Sequence, residues 1–296
     1  MAWTAVSAGA GSGANEDLVT VHEHGGVTDI LVLDGATSVA DRDYADTDSG
    51  DVAWFVRAFA AALALRLDAQ TSQYDAVAGA IAVVRSDYLA RTAADHAPAH
   101  AWPIAALTWV RVRSGAASLF CLGDCKILLR LADGMVRDLD PWINPQEAVL
   151  QGVLATLPAD AAERKAHLLP LLRARREDQN AAAAPSVLCL RPAGPFAARR
   201  STLRIPPGAS LLAMTDGFYR LADPYGLYSP ATLFDACLAR GLDALLAELR
   251  HAEGGGGAAG LSVKAADDAS AVLWRADPPI IHHYEEHAWT THAARP

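Results

Sequence analysis

Two periodicities alternate along the chain. At the front, "WTAVSAGA", "DLVTVHE" and "TDILVLDGA" read as three β-strands, with a turn at His24 to Gly26 joining the second to the third. In the third, Ile30 to Leu33 are apolar without a break, as in a strand buried on both faces, and the run ends on Asp34 and Gly35. Helical spacing follows. One helix is expected from about Asp48 to Leu67, opened by "DSGD", whose Asp or Ser can cap free amides. A second, from about Ser72 to Ala94, places Val77, Ile81, Val84 and Leu89 on one face.

Strand patterns return at "IAALTWVRVRSG", "ASLFCLGD" and "KILLRLADG", with "RSGAA" and "ADGMV" as hairpin turns. Ala148 to Glu177 reads as helix, apolar at first and then basic at "RARREDQ". The segment "STLRIPPGASLLAMTDG" reads as a β pair turning at Pro206, Pro207 and Gly208. Helices from Ser229 to Arg240 and Leu242 to Ala252, a "GGGGAAG" linker and the strand "DASAVLWRA" complete the pattern. Strands and helices come in groups rather than in strict βαβα alternation. That order predicts an α+β fold, with antiparallel sheets packed together and helices outside.

Composition narrows the function. Of 296 residues 52% are apolar, enough for a substantial core, and the formal net charge of −9 argues against a nucleic-acid partner. No stretch reaches the roughly 18–20 apolar residues of a membrane span; "VAWFVRAFAAALALRL" is interrupted by Arg57 and Arg66 and reads as a buried helix. The first residues carry neither a basic start nor a sustained apolar run, so a cytoplasmic location is expected. Cys121, Cys125, Cys189 and Cys237 lack metal-site spacing and read as inert thiols. Trp54, Trp102, Trp109 and Trp142 fall on apolar faces and are expected in the core, while His22 and His24 are expected at the surface.

The candidate chemistry lies at strand ends. Asp34-Gly35 follows one apolar strand and Asp216-Gly217 another, and Gly123-Asp124 lies between two strands. Glu16-Asp17 and Asp267-Asp268 each precede a strand. Carboxylates gathered into one pocket repel one another unless they are protonated or neutralised by cations. An oxygen-only set without His or Cys suits hard ions such as Mg²⁺ or Mn²⁺.

In order and rough spacing, "NED", "VLDGATS", "CLGDCK", "LLAMTDGF" and "DDASAV" resemble the metal-dependent protein phosphatases of the 2C type, over about residues 3 to 276. The resemblance implies a central antiparallel β-sandwich flanked by helices on both sides, four layers in the order α-β-β-α. It implies one phosphatase domain over residues 1–278, with 279–296, which include "HHYEEH", as a tail. It further implies two divalent cations, with Asp34 bridging them, the Gly35 carbonyl on one, and Asp216 and Asp267 on the other. Glu16 would act on a metal or its water with Asp17 in support, and Asp124 falls where the family holds a weaker third ion. The implied reaction is hydrolysis of phosphoserine or phosphothreonine in proteins by hydroxide shared between the ions. Its partners would be a phosphorylated protein and a cognate Ser/Thr kinase, with neither nucleic acid nor membrane involved.

This chain departs from the family pattern at several points. Ser12 stands where the family carries a phosphate-gripping arginine, and Ala36-Thr37-Ser38 stands where the well-known eukaryotic members have His-Gly-Gly. Arg220 replaces an acid of the third ion site and is a candidate for the substrate phosphate itself; the alternative is a surface pair with Asp223. Asp268 replaces an Asn. A catalytically weak regulatory or binding module is therefore the second reading.

Overall fold

The computed structural model describes residues 2–11, 13–144, 149–150, 152–153, 156, 161–191, 195–254 and 266–276. Ser12, the linker beyond Gly254 and the histidine-rich tail lie outside them.

Two antiparallel sheets form the centre. Sheet A orders β1 (Ala2–Ala8), β11 (Ala269–Arg275), β10 (Ser210–Met214), β6 (Lys126–Arg130) and β7 (Val136–Asp138). Sheet B orders β2 (Asp17–His24), β3 (Val27–Gly35), β4 (Ile104–Arg113), β5 (Ala116–Leu122) and β9 (Arg199–Arg204), with β8 (Leu188–Cys189) paired to the start of β4.

The unbroken apolar run of β3 is explained by its two faces. Ile30 and Val32 point between the sheets, against Leu211, Ala213, Val272 and Trp274. Leu31 and Leu33 point outward, into a cluster with Phe55, Phe59 and Leu63 of α1 (Asp51–Ala64) and Val77 and Ile81 of α2 (Gln73–Arg91). Side chains of this size contribute roughly 1.5–3 kcal/mol each when fully buried. Beyond sheet A, Leu212, Met214, Ala271 and Leu273 pack under α5 (Pro230–Arg240) and α6 (Leu242–Gly254). The layers are thus α-β-β-α, as the resemblance implied. The insert supplies α3 (Ala161–Ala181), and a single turn, α4 (Asp216–Tyr219), follows β10.

Several local expectations are corrected. The "STLRIPPGASLLAM" segment is not a hairpin: β9 pairs with β5 in sheet B, whereas β10 pairs with β6 and β11 in sheet A. Pro206 and Pro207 have no N–H to extend a ladder, so the chain leaves one sheet there and enters the other. Helix α1 begins at Asp51 with no side-chain cap. The Asp51 carboxylate instead accepts the amides of Tyr44 (3.1 and 3.0 Å), Ala45 (2.7 Å) and Asp46 (3.0 Å), fixing the loop before the helix. Trp142 is only half-buried, lying under the Arg199 guanidinium at 4.4 Å. The short β8 and α4 had no sequence expectation. No helix among the described residues is long and apolar enough to cross a membrane.

Candidate functional site

The acids converge where β2, β3, β10 and β11 end together. Antiparallel register sets Asp17 of β2 directly opposite Asp34 of β3, and sets the small Ala106 of β4 on the other side of Asp34. Side chains opposite one another in a ladder share a face, so both carboxylates look into the space between the sheets. Thr215 approaches from sheet A. Its hydroxyl accepts the Ser270 amide at 3.0 Å and donates to Asp17 Oδ2 at 2.8 Å. The strand then breaks into α4, whose first residue is Asp216.

Two glycines allow the loops to close. A Cβ on Gly217 would lie 1.8 Å from the Asp268 carbonyl oxygen, so the Asp216 turn and the Asp267–Asp268 turn touch backbone to backbone. A Cβ on Gly35 would meet Val52 Cγ1 at 2.5 Å and the Glu16 carbonyl oxygen at 2.7 Å. The Gly35 amide donates to that same carbonyl at 3.1 Å, which pins Glu16 beside Asp34.

Asp268 has a positioning role. Its two oxygens accept the amides of Ala10 (2.8 Å) and Glu16 (2.6 Å), so this carboxylate positions the segment that carries Glu16. The neighbouring Asp267 is anchored through its backbone. Arg250 of α6 donates to its carbonyl at 2.7 Å, and its amide donates to Glu253 at 3.2 Å. Asp124 sits on the β5–β6 turn. The Gly123 carbonyl accepts Arg199 at 2.6 Å, and the Asn144 side chain donates to Asp124 Oδ2 at 3.1 Å.

The electrostatics follow from this crowding. Burial holds the Asp34 carboxyl well above its ordinary range, and Asp216, Asp17, Asp124 and Asp267 raise it further. Burial likewise lifts Asp17 to about 8 against the opposing Thr215 hydrogen bond, with Asp216, Asp268 and Asp267 adding to the rise. Asp34 and Asp17 therefore sense acids that come from distant parts of the chain. Beneath them, burial pushes the Cys125 thiol up, with Asp34 and Asp124 adding to it, which leaves it an inert neighbour.

Among the described residues, no three acidic, His or Cys side chains stand closed around a common point as one ion would require. The fit to divalent cations is therefore one of donor chemistry: several oxygen ligands, mutual repulsion and a carbonyl at Gly35. Hard cations relieve that repulsion.

Arg220 is a buried residue, not a surface one. It is 5% exposed, with Nη1 3.3 Å from Glu253 Oε1 and its guanidinium 5.2 Å from the Tyr225 ring centroid. A cavity of about 320 Å³, lined by Glu23 to Thr28, is at the β2–β3 turn, the far end of β3 from Asp34. It has no part in this cluster.

Sequence reasoning missed Arg176. On α3 it is 6% exposed, and its Nη2 donates to the carbonyls of Ala36 and Thr37, both at 3.2 Å. Thr37 in turn donates its hydroxyl to Glu16 Oε2 at 2.9 Å. The only signal in the sequence was the basic run "RARREDQ".

Fold and acidic cluster together have the form of a 2C-type phosphatase. A family model described as Protein phosphatase 2C matches residues 4–250, and the chain belongs to that family. The serine/threonine phosphatase PstP/Ppp of Mycobacterium tuberculosis is 15% identical, with 93% of this chain and 98% of that one covered at a TM-score of 0.53. Its catalytic domain in complex with two manganese ions matches at 16% identity, 93% and 98% coverage and a TM-score of 0.51. PppA, titled a key regulatory component of T6SS in Pseudomonas aeruginosa, is 18% identical over 93% of this chain and 97% of that one, at a TM-score of 0.51. Among curated proteins none matches the sequence.

Proposed function

We propose that the chain is a metal-dependent protein phosphatase acting on phosphoserine and phosphothreonine. The observation that carries this reading is the gathering of Asp17, Asp34, Asp124, Asp216 and Asp267 at one end of the sandwich, where burial and mutual repulsion hold two of them above their ordinary range. Asp34, Asp216, Asp267 and the Gly35 carbonyl would hold two Mn²⁺ or Mg²⁺ ions, with Glu16, Asp17 and Asp124 around them. When bound, such cations supply a nucleophile at neutral pH and offset the charge that builds on the phosphoryl oxygens.

The remaining work falls to the chain itself. Asp268 and Gly35 hold Glu16 by its amide and carbonyl, and Thr37 orients its carboxylate. Thr215 fixes Asp17, and Arg250 fixes the Asp267 turn. A phosphorylated protein is the fitting substrate class, and the kinase that phosphorylates it the fitting functional partner.

Hydrolysis of p-nitrophenyl phosphate with added Mn²⁺, compared with a chelator and with Asp34→Asn, tests this reading. Turnover that depends on Mn²⁺ and drops on the order of a thousandfold in the variant is expected. Turnover no higher than that of the variant overturns it. One observation favours a second reading, a binding module of weak activity: no three acids among the described residues are already closed on a point. Calorimetry separates the two, because the enzyme must take up two Mn²⁺ ions and the module need not.

A further inference from the structure

The cluster is anionic throughout, and a phosphorylated ligand brings still more negative charge to it. A counter-charge on the protein is therefore informative, and α3 offers three arginines toward this end of the molecule. Two have acidic or amide partners. Arg173 bonds the Val39 carbonyl at 2.8 Å and pairs with Asp41. Arg175 donates to Asn144 Oδ1 at 3.0 Å, and Asn144 passes that contact on to Asp124.

Arg176 differs. Among the described residues its guanidinium makes no ion pair; one nitrogen, Nη2, is shared between the Ala36 and Thr37 carbonyls. A guanidinium carries five N–H donors, so most of its donor capacity is unspent. The buried polar side-chain atoms that lack a partner among the described residues are those of Tyr88, Asn180, Tyr225 and Trp274. Arg176, 6% exposed, is not among them. Taking a charge out of water without a counter-ion costs several kcal/mol. Glu16 is the acid that acts on it electrostatically, from across the Thr37 hydroxyl.

We propose that Arg176 is the residue that grips the substrate phosphate, its free N–H groups matching phosphoryl oxygens while Nη2 keeps the Ala36–Thr37 segment in place. Phosphate recognition is then supplied by the insert helix, from a part of the chain remote from every acid of the cluster. The assignment rests on the phosphatase reading for its substrate, yet it can be tested apart from turnover.

Inorganic phosphate is titrated by calorimetry into Mn²⁺-saturated protein, for the wild type, Arg176→Gln and Arg176→Lys. Gln can still donate to the two carbonyls but carries no charge and no fork. Its phosphate affinity is expected to fall by at least about tenfold, with Lys between Gln and the wild type. Mn²⁺ affinity should be kept in the Gln variant, and its thermal midpoint should not fall, because a buried charge is removed. Equal phosphate affinity in wild type and Gln variant overturns the proposal, as does wild-type protein that binds no phosphate. Parallel loss of Mn²⁺ and phosphate binding in both variants also overturns it, in favour of a purely structural role. Phosphate binding lost in Arg176→Gln alongside a wild type without turnover sinks the phosphatase reading and leaves Arg176 standing.

Discussion

Strand β3 carries a carboxylate near each end, one fully buried and one half-buried, and the two are treated in opposite ways. Asp29 is 0% exposed and fully answered: Trp109 donates to Oδ1 at 2.6 Å, Arg111 to both oxygens at 2.8 and 3.1 Å, and His24 stands 2.9 Å from Oδ2. Asp34, of opposite parity on the same strand, faces between the sheets and meets Asp17, Asp124, Asp216 and Asp267 instead. One carboxylate closes a network within the protein, while the other faces further acids and, in the proposed function, would be answered by bound cations. Burial alone does not mark a site; what matters is whether the buried charge has its counter-charge already.

Substitution breaks this contrast most directly. Asp29→Ala strands Arg111, whose side chain is 11% exposed, without its partner and should cost about 3–5 kcal/mol in chemical denaturation. Asp34→Asn should cost nothing comparable in the metal-free protein, since it removes repulsion rather than attraction. Equal losses for the two would erase the distinction. Gly217→Ala comes next. The added methyl must displace the Asp268 carbonyl, so about 1–3 kcal/mol of stability should go, together with Mn²⁺ affinity as the Asp216 and Asp267 turns part.

A graded effect is read in pH. The folded value of Asp17, about 8, stands above the ordinary 3.8, so the folded chain binds the extra proton. Its contribution is intact below the ordinary value and is lost as pH rises toward about 8. Chelator-treated protein should therefore melt at progressively lower temperature between about pH 5 and pH 8, at up to about 1.4 kcal/mol per pH unit for each such proton. Mn²⁺ should flatten that slope. A melting temperature insensitive to pH without metal would mean that Asp17 is not held above its ordinary range.

The sequence made parts of this legible because their causes are local. An apolar run on both parities followed by Asp-Gly announced β3 and the cluster, and the "RSGAA" and "ADGMV" turns announced β4–β5 and β6–β7, which pair as expected. What stayed hidden depends on contacts made far along the chain. The prolines at 206 and 207 look like a hairpin turn until one sees that β5 and β6, their partners, lie in different sheets. Asp268 reads only as a replacement for Asn until the amides of Ala10 and Glu16 are seen on its two oxygens. Arg176 hides in a polar helix, because burial of one arginine in a basic run depends on which neighbour that face of α3 meets. Trp142 was misplaced for the converse reason, an aromatic taken for core that instead shelters a guanidinium.

Strand β11 occupies a peculiar place in the order of synthesis. It is the last strand described, yet it lies inside sheet A, hydrogen-bonded to the first strand on one side and to β10 on the other. A nascent chain can assemble sheet B early, but β1 has nothing to pair with until residues 269–275 have left the ribosome. Asp267 and Asp268 emerge just before that strand, so the growing polypeptide gains its complete set of acids only as the second sheet becomes able to shut.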